Sequence, residues 1–422
     1  MRVQRFHLPK LSILVCGLWA LVALVPAAAR AAGGLAELQG DLSHQLALAG
    51  AHDGAYVYDL TAKQALFSDR ATTLRPPASV EKLYTATAAL EQLGPSARLE
   101  TTVLGVGHLA PGGVWEGDLY LRGGGDPTFG SSSFISSHYG GVGTSVSKLV
   151  SQLVQVDGIH RIVGSIEGDE SYLDPLPGEP SSGYAFDPFL EGTLSALAFD
   201  RGASGSERGP HAPAAYAAHK LRQALTADGV SVRGPSGAAT TPPGALLLAT
   251  APSPTVAELL GLMLPPSDNF FAETLLKDLG ARFGGAGTTA AGAAVVSRTI
   301  ASVLAIHPHV VDGSGLSEAD RTSPYQVADL LVELAGTASG TVLREHMAVA
   351  GHTGTLAQRM RHTGASGRCQ GKTGTLTGVS NLVGYCLTAN GHTLAFAIFT
   401  DGIATEAAHV FQDHMAITVA DY

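Results

Sequence analysis

The sequence is short of cysteine, short of charge and, past residue 31, free of long apolar runs. Three cysteines in 422 residues exclude a disulfide scaffold. Only 15% of residues are charged against 45% hydrophobic, so the chain can bury a sizeable core, enough for two or three domains. The 26 Lys and Arg are outnumbered by 36 Asp and Glu. That deficit argues against nucleic acid, whose binding rests on cations neutralising phosphates. No segment beyond the N-terminus is long enough to span a membrane. There is no internal repeat, and the 52 Gly and 22 Pro are spread as turns rather than low-complexity tracts.

The N-terminus reads as an export signal. Arg2, Arg5 and Lys10 form a positive start, 11-LSILVCGLWALVALVP-26 an apolar core, and 27-AAARAA-32 a small-residue cleavage region. Cleavage after Ala29 or Ala31 would leave a more acidic protein in the periplasm, the cell-wall space or the medium, with no stable membrane span. The alternative is an uncleaved anchor. Cys16 follows Val15 and stands inside the apolar run, which does not suit a lipoprotein start. Cys369 and Cys386 then remain. They flank a hairpin with its turn near Thr377 and Gly378, and either face each other as a disulfide or stay separate thiols.

Three textures follow along the chain. Residues 42–74 read as a helix and two strands, and 79–93 as a helix. From about 97 to 245, short strands such as 100–107, 117–123 and 160–169 alternate with Gly/Pro turns, with a helix over 213–229. Beyond 255 helices return. One covers 323–335, with Ser323 as N-cap and Pro324 in the first turn. Residues 372–402 read as consecutive antiparallel strands, closed by a helix from about Ala404. The expected organisation is a signal peptide over 1–31, one α/β (α+β) domain built from 32–96 and 246–422, and a β-rich insertion over 97–245.

The chemistry starts at 76-PPASVEKLYTATAAL-90. Residues three apart share a helix face, so Ser79 and Lys82 project together from a first turn. A serine hydroxyl needs a base to become a nucleophile, and a desolvated lysine can serve. The helix N-terminus adds positive potential and free N–H groups for an oxyanion. Ser145 and Lys148 have the same spacing, so the pair alone does not decide. Two further stretches do. 267-SDN-269 opens a helix with a hydroxyl on Ser267 and an amide on Asn269. 372-KTG-374 opens a strand run. Its ammonium, with the hydroxyls of Thr373 and Thr375, suits a carboxylate, and Gly374 lets another backbone approach. His352-Thr353-Gly354 and His362-Thr363-Gly364 mimic the last element but do not open a sheet.

This order of Ser-x-x-Lys, Ser-x-Asn and Lys-Thr-Gly is that of the penicillin-recognising serine acyltransferases. The chain resembles the low-molecular-mass penicillin-binding proteins of the D-alanyl-D-alanine carboxypeptidase/endopeptidase type, which carry an inserted domain after the first motif. Further matching stretches are 121-LRGGGDPTF-129, 312-DGSGLSEADRTSP-324 and 371-GKTGTLTGVSNLVGY-385. The resemblance implies a transpeptidase-like fold, an antiparallel sheet flanked by helices. It implies Ser79 as nucleophile, Lys82 as acylation base and Ser267 as proton relay supported by Lys372. Asn269 would bind the substrate amide. Thr373 and Thr375 would hold the terminal carboxylate, and the N–H groups of Ser79 and Thr375 would form the oxyanion hole. The substrates would be peptidoglycan stem peptides, and β-lactams would be covalent inhibitors. No cofactor or metal is called for. In that family an acid of the insertion meets a free amine of the peptide, and Asp169 in 167-EGDESYL-173 is the candidate here. Asp126 reads instead as a turn residue. A β-lactamase or esterase on the same scaffold and a non-catalytic cell-wall peptide binder are the rival readings. The sequence does not choose between carboxypeptidase and endopeptidase action.

Overall fold

A computed structural model describes residues 27–202 and 212–422, with side chains from Gly34 onward. The export segment expected over 1–31 lies, as far as residue 26, outside the described residues.

The main sheet draws on both ends of the chain. Helix α1 (Ala27–Ala49) leads into the hairpin β1 (Gly54–Asp59) and β2 (Gln64–Asp69). A short 3-10 turn, Ala78–Glu81, runs directly into α2 (Lys82–Gln92). The insertion follows, with strands β3 (Arg98–Ala110) and β4 (Val114–Arg122). It continues with helices α3 (Ser132–Tyr139) and α4 (Val146–Ser151), then the short strands β5 (Arg161–Ile162) and β6 (Ile166–Asp169). Helix α5 (Pro213–Ala227), strands β7 (Ser231–Val232) and β8 (Ser236–Ala238), and β9 (Leu246–Thr255) complete it. Five helices come next: α6 (Val256–Met263), α7 (Asn269–Phe283), α8 (Thr289–Leu304), α9 (Pro324–Leu334) and α10 (Ala338–Glu345). Strands β10 (Ala348–Val349), β11 (Cys369–Leu376), β12 (Val379–Leu387) and β13 (Thr393–Asp401) precede the closing helix α11 (Thr405–Asp421).

The six-stranded sheet has the order β10-β11-β12-β13-β1-β2, antiparallel throughout. It is covered on both faces, which explains the nearly continuous apolar runs of β12 and β13. Alternate residues divide between two cores. Val383, Tyr385, Ala397 and Phe399 pack with α2 and the α6–α10 layer. Leu382, Phe396 and Ile398 pack with α1 and α11. The terminal helices α1 and α11 therefore seal one face and the layer of α2 and α6–α10 the other. Ser323 caps α9 by accepting from the Gln326 N–H, with Pro324 in the first turn, as the sequence predicts.

Cys369 and Cys386 stand opposite each other in the β11–β12 register and are joined as a disulfide. Peptide mapping without reductant should find the 369 and 386 peptides linked. Two alkylated free thiols would contradict the structure.

The insertion has its own sheet, in the order β7-β5-β4-β3-β9, with β6 bridging β4 and β8. Helix α5 packs its Ala214, Ala217, Leu221 and Leu225 against this sheet in a third core. Strand β9 pairs antiparallel with β3, so residues 246–255 belong to this second sheet, beyond the boundary expected at 245. The apolar face of β3 needs that partner, and the alternating run after Gly244 supplies it.

Candidate active site

The Ser79 turn is wedged between strand β11 and the loop that carries Gly315. Asn381 of β12 donates its side-chain amide to the carbonyls of Pro76 (3.0 Å) and Pro77 (2.8 Å). Ala78 then adopts a left-handed φ of 48°, unusual for a residue with a Cβ. On β11, a Cβ at Gly374 would lie 2.4 Å from the Pro77 carbonyl. The close backbone approach read from the sequence is thus the contact between β11 and the Ser79 turn. Gly315 (φ 79°) does the same from the other side, where a Cβ would lie 1.9 Å from the Ala78 carbonyl. Both glycines are required by sterics.

Lys82 is fully buried, and its Nζ meets three oxygens: Ser79 Oγ at 2.9 Å, Asn269 Oδ1 at 2.6 Å and the Ser314 carbonyl at 2.6 Å. None is charged. Burial lowers its pKa to about 8, against the pull of the more distant Asp312 and Glu273 carboxyls. Lys372 is also buried. It donates to Ser267 Oγ (2.7 Å) and to the Thr373 carbonyl (2.7 Å). Burial, with repulsion from Lys82, holds its pKa well below the usual lysine value. Thr373 Oγ1 hydrogen-bonds Thr355 Oγ1 at 2.8 Å. Thr375 is exposed on the strand beyond.

Ser79, Lys82 and Asn269 thus form one hydrogen-bonded group, and Ser267, Lys372 and Thr373 a second; the 267–269 turn joins the two, and Gly374 stands against the Ser79 turn. Asn269 is more committed than the sequence suggests. Its oxygen takes Lys82, and its Nδ2 donates to the Phe189 carbonyl of the insertion at 2.8 Å. Asp169 makes none of these contacts. It ends β6 with a buried carboxylate that accepts from the Ser171 N–H (2.9 Å), the Thr241 N–H (2.9 Å) and the Thr241 hydroxyl (2.5 Å), with Arg122 Nε 3.8 Å away. All of these contacts lie within the insertion. The acids that flank the cleft-side Phe189 are Asp187 and Glu191, in a loop with no motif to mark it. Ser145 caps α4 and Lys148 is exposed, so the duplicate pair is structural.

Behind the Ser79 turn lies a group the sequence did not single out. Asp312 accepts from the N–H groups of Ser314 (3.1 Å), Gly315 (2.6 Å) and Ser317 (2.7 Å). Glu273 of α7 accepts from Gly313 (2.9 Å) and Ser314 (2.7 Å). Together they fix the loop whose Ser314 carbonyl holds Lys82. Asp320 accepts from the Val311 N–H at 2.6 Å. Glu81, between Ser79 and Lys82 in the chain, is fully buried, and neither carboxyl oxygen has a hydrogen-bond partner among the described residues. Burial raises all four pKa values, and repulsion from neighbouring carboxyls adds to it in three: Glu273 to about 8, Asp320 to about 11 and Glu81 well above the usual range; Asp312 is raised by burial alone, against its backbone hydrogen bonds. The 312-DGSGLS-317 stretch carries a signal for this loop, since two glycines and three short polar residues specify a tightly hydrogen-bonded turn.

A serine held against a desolvated lysine, at the head of a buried helix and facing the Lys-Thr-Gly edge of an antiparallel sheet, is the arrangement of the penicillin-recognising serine hydrolases. Within that class the chain belongs to the D-Ala-D-Ala carboxypeptidase 3 (S13) family, whose profile matches residues 36–181 and 190–422. It is 30% identical over 489 aligned positions to the D-alanyl-D-alanine carboxypeptidase of Actinomadura sp. (strain R39), spanning 95% of this chain and 88% of that one. The fold is similar to the crystal structure of penicillin binding protein 4 from Haemophilus influenzae, with a TM-score of 0.72 and 20% identity over 91% of this chain and 99% of that one. It is also similar to a penicillin G-acylated predatory endopeptidase from Bdellovibrio bacteriovorus, with a TM-score of 0.52 and 17% identity over 87% and 89% of the two chains. The protein is therefore a serine-type D-Ala-D-Ala carboxypeptidase, a low-molecular-mass penicillin-binding protein.

Proposed function

We propose that the protein trims peptidoglycan stem peptides outside the cytoplasm through an acyl-enzyme on Ser79, and that β-lactams arrest it there. The observation that carries this reading is the three-way contact of Lys82. A neutral amine has two N–H bonds and one lone pair. The Asn269 and Ser314 oxygens, each at 2.6 Å, take the two N–H bonds. The lone pair is then left toward the Ser79 hydroxyl at 2.9 Å, in place to accept its proton.

The remaining steps are those the family resemblance implies. Ser79 Oγ attacks the carbonyl carbon of the penultimate D-Ala, and the oxyanion meets the N–H groups of Ser79 and Thr375. The proton held by Lys82 passes to the leaving amine by way of Ser267, which Lys372 orients. Thr373, Thr375 and Lys372 receive the terminal carboxylate. Water then cleaves the ester. In a β-lactam the leaving amine stays tethered, which slows that last step. No helix among the described residues is long and apolar enough to cross a membrane. The N-terminal export signal supports an extracytoplasmic site of action. Endopeptidase action on cross-links uses the same acylation and differs only in what the cleft admits beyond the scissile bond.

Acylation should follow the Lys82 proton. Its rate with a fluorescent penicillin should rise about tenfold per pH unit below 7 and level off above about 8, as the amine becomes neutral. Stopped-flow fluorescence across pH 5.5–9.5 measures this. A rate independent of pH would remove Lys82 as the base. The lifetime of the adduct decides the rival on the same scaffold: hours support a penicillin-binding protein, milliseconds a β-lactamase.

A further inference from the structure

The inserted domain brings the charged side chain of Arg201 to the 267–269 turn. Arg201 forms an ion pair with Asp268, the middle residue between Ser267 and Asn269, and both side chains are nearly buried. The other Asp268 oxygen caps α7 by accepting from the Phe271 N–H at 3.0 Å. Arg201 Nε donates to the Tyr139 hydroxyl at 2.8 Å. Its guanidinium lies 5.5 Å from the ring centres of Tyr139, Phe270 and Phe271. Glu191 reaches Nη1 at 3.4 Å. A planar, delocalised cation suits this aromatic box, and a lysine would not fill it.

The backbone on both sides of the pair is strained. Asp200 and Arg201 have φ of 49° and 59°, and Ser267 has φ of 69°, all left-handed without being glycine. Such residues persist where the surroundings over-determine them. Asp200 is held by the Ser131 N–H on its Oδ1 (2.7 Å) and by its own N–H on the Phe129 carbonyl (3.0 Å). The Arg201 carbonyl accepts from the Thr193 N–H at 2.9 Å. The insertion thus spends two unfavourable conformations to aim one guanidinium at the residue between Ser267 and Asn269.

We propose that Arg201 is a positioning residue, by which the inserted domain sets where Ser267 meets Lys372 and where Asn269 meets Lys82. The inference rests on the reading of those four residues as the machinery serving Ser79. Removing the pair lets the strained Ser267 relax, and displacements of about 1 Å at such contacts cost about 100-fold in rate.

The test compares Arg201→Met, Asp268→Asn, the double variant Arg201→Met/Asp268→Asn and Arg201→Lys with the parent. Asn at 268 can still cap α7, so it removes the charge alone. The acylation rate with a fluorescent penicillin and the thermal midpoint are measured together. Each single variant should lose about 100-fold in acylation rate, and the double variant no more than either single, because one interaction has been removed twice. The thermal midpoint should recover in the double variant, which buries no lone charge, while the rate does not. Arg201→Lys should recover only part of the rate. Should a single variant fail to fold, the double variant carries the reading. Parental acylation in folded Arg201→Met, or a rate that returns with the midpoint in the double variant, overturns the inference. Absence of acylation at Ser79 in the parent would instead overturn the underlying functional reading.

Discussion

Alanine in place of Ser79 abolishes labelling by a fluorescent penicillin and leaves the fold intact. The expected loss in acylation rate is on the order of 10⁶-fold, the scale seen when a nucleophile is removed from a preorganised site. The reason for the intact fold is local. The Ser79 side chain is half-buried, and Lys82 is the one hydrogen-bond partner of its hydroxyl among the described residues. Without it, Lys82 keeps its two stronger partners on Asn269 and Ser314. Stability should therefore stay within about 1 kcal/mol of the parent. Ser145→Ala supplies the contrast. It removes an N-cap from α4, at a cost of about 1 kcal/mol, and leaves labelling unchanged. Peptide mapping of the labelled parent locates the adduct. An adduct that survives in Ser79→Ala would place the nucleophile elsewhere.

The parts of this site that the sequence displays are those whose chemistry needs a fixed residue type at a fixed spacing. Ser79 and Lys82 share a helix face, Lys372 opens a strand, and Gly374 stands where another backbone must pass. Antiparallel β11–β13 followed from alternation and from the Thr377-Gly378 turn, and that hairpin carries the Cys369–Cys386 bond. What stayed hidden depends on contacts between distant segments. Asp169 has the sequence look of a free acid after a strand, but Thr241, 72 positions away, closes on it. The Ser314 carbonyl acts through its backbone, which no residue type announces. Arg201 is read only once α3 and the start of α7 are side by side. Strand β9 was assigned to the wrong side of the boundary because its pairing partner, β3, lies some 150 positions earlier.

The largest effect on stability should come from the acids behind the nucleophile. The melting temperature should fall by about 5–10 °C between pH 6 and pH 8.5, and Glu81→Gln should flatten that fall. Glu81, Glu273, Asp312 and Asp320 all hold their protons more tightly folded than unfolded, because burial penalises the charged form and, for Glu81, Glu273 and Asp320, neighbouring carboxyls repel it. A group raised in this way contributes its full stability below the unfolded pKa near 4. That contribution is lost as pH climbs through the folded value, which for Glu273 is about 8. Lys82 works in the opposite sense. Folding lowers its pKa from 10.5 to about 8, so its desolvation cost fades only above pH 8. Lys372 moves in the same direction. The acids therefore dominate between pH 5 and 8, and the lysines offset part of the loss above it. Glu81 is the best probe because its oxygens are engaged by nothing else among the described residues. An amide there is neutral at every pH, so Glu81→Gln should match the parent at pH 6 within about 2 kcal/mol and exceed it at pH 8.5. Scanning fluorimetry across the pH range, in buffers of equal ionic strength, gives both curves. Parallel curves would mean that Glu81 is already ionised in the folded protein across this window. Converging then crossing curves would mean that the acid beside Lys82 is carried neutral in the working enzyme, at a cost to stability that rises with pH.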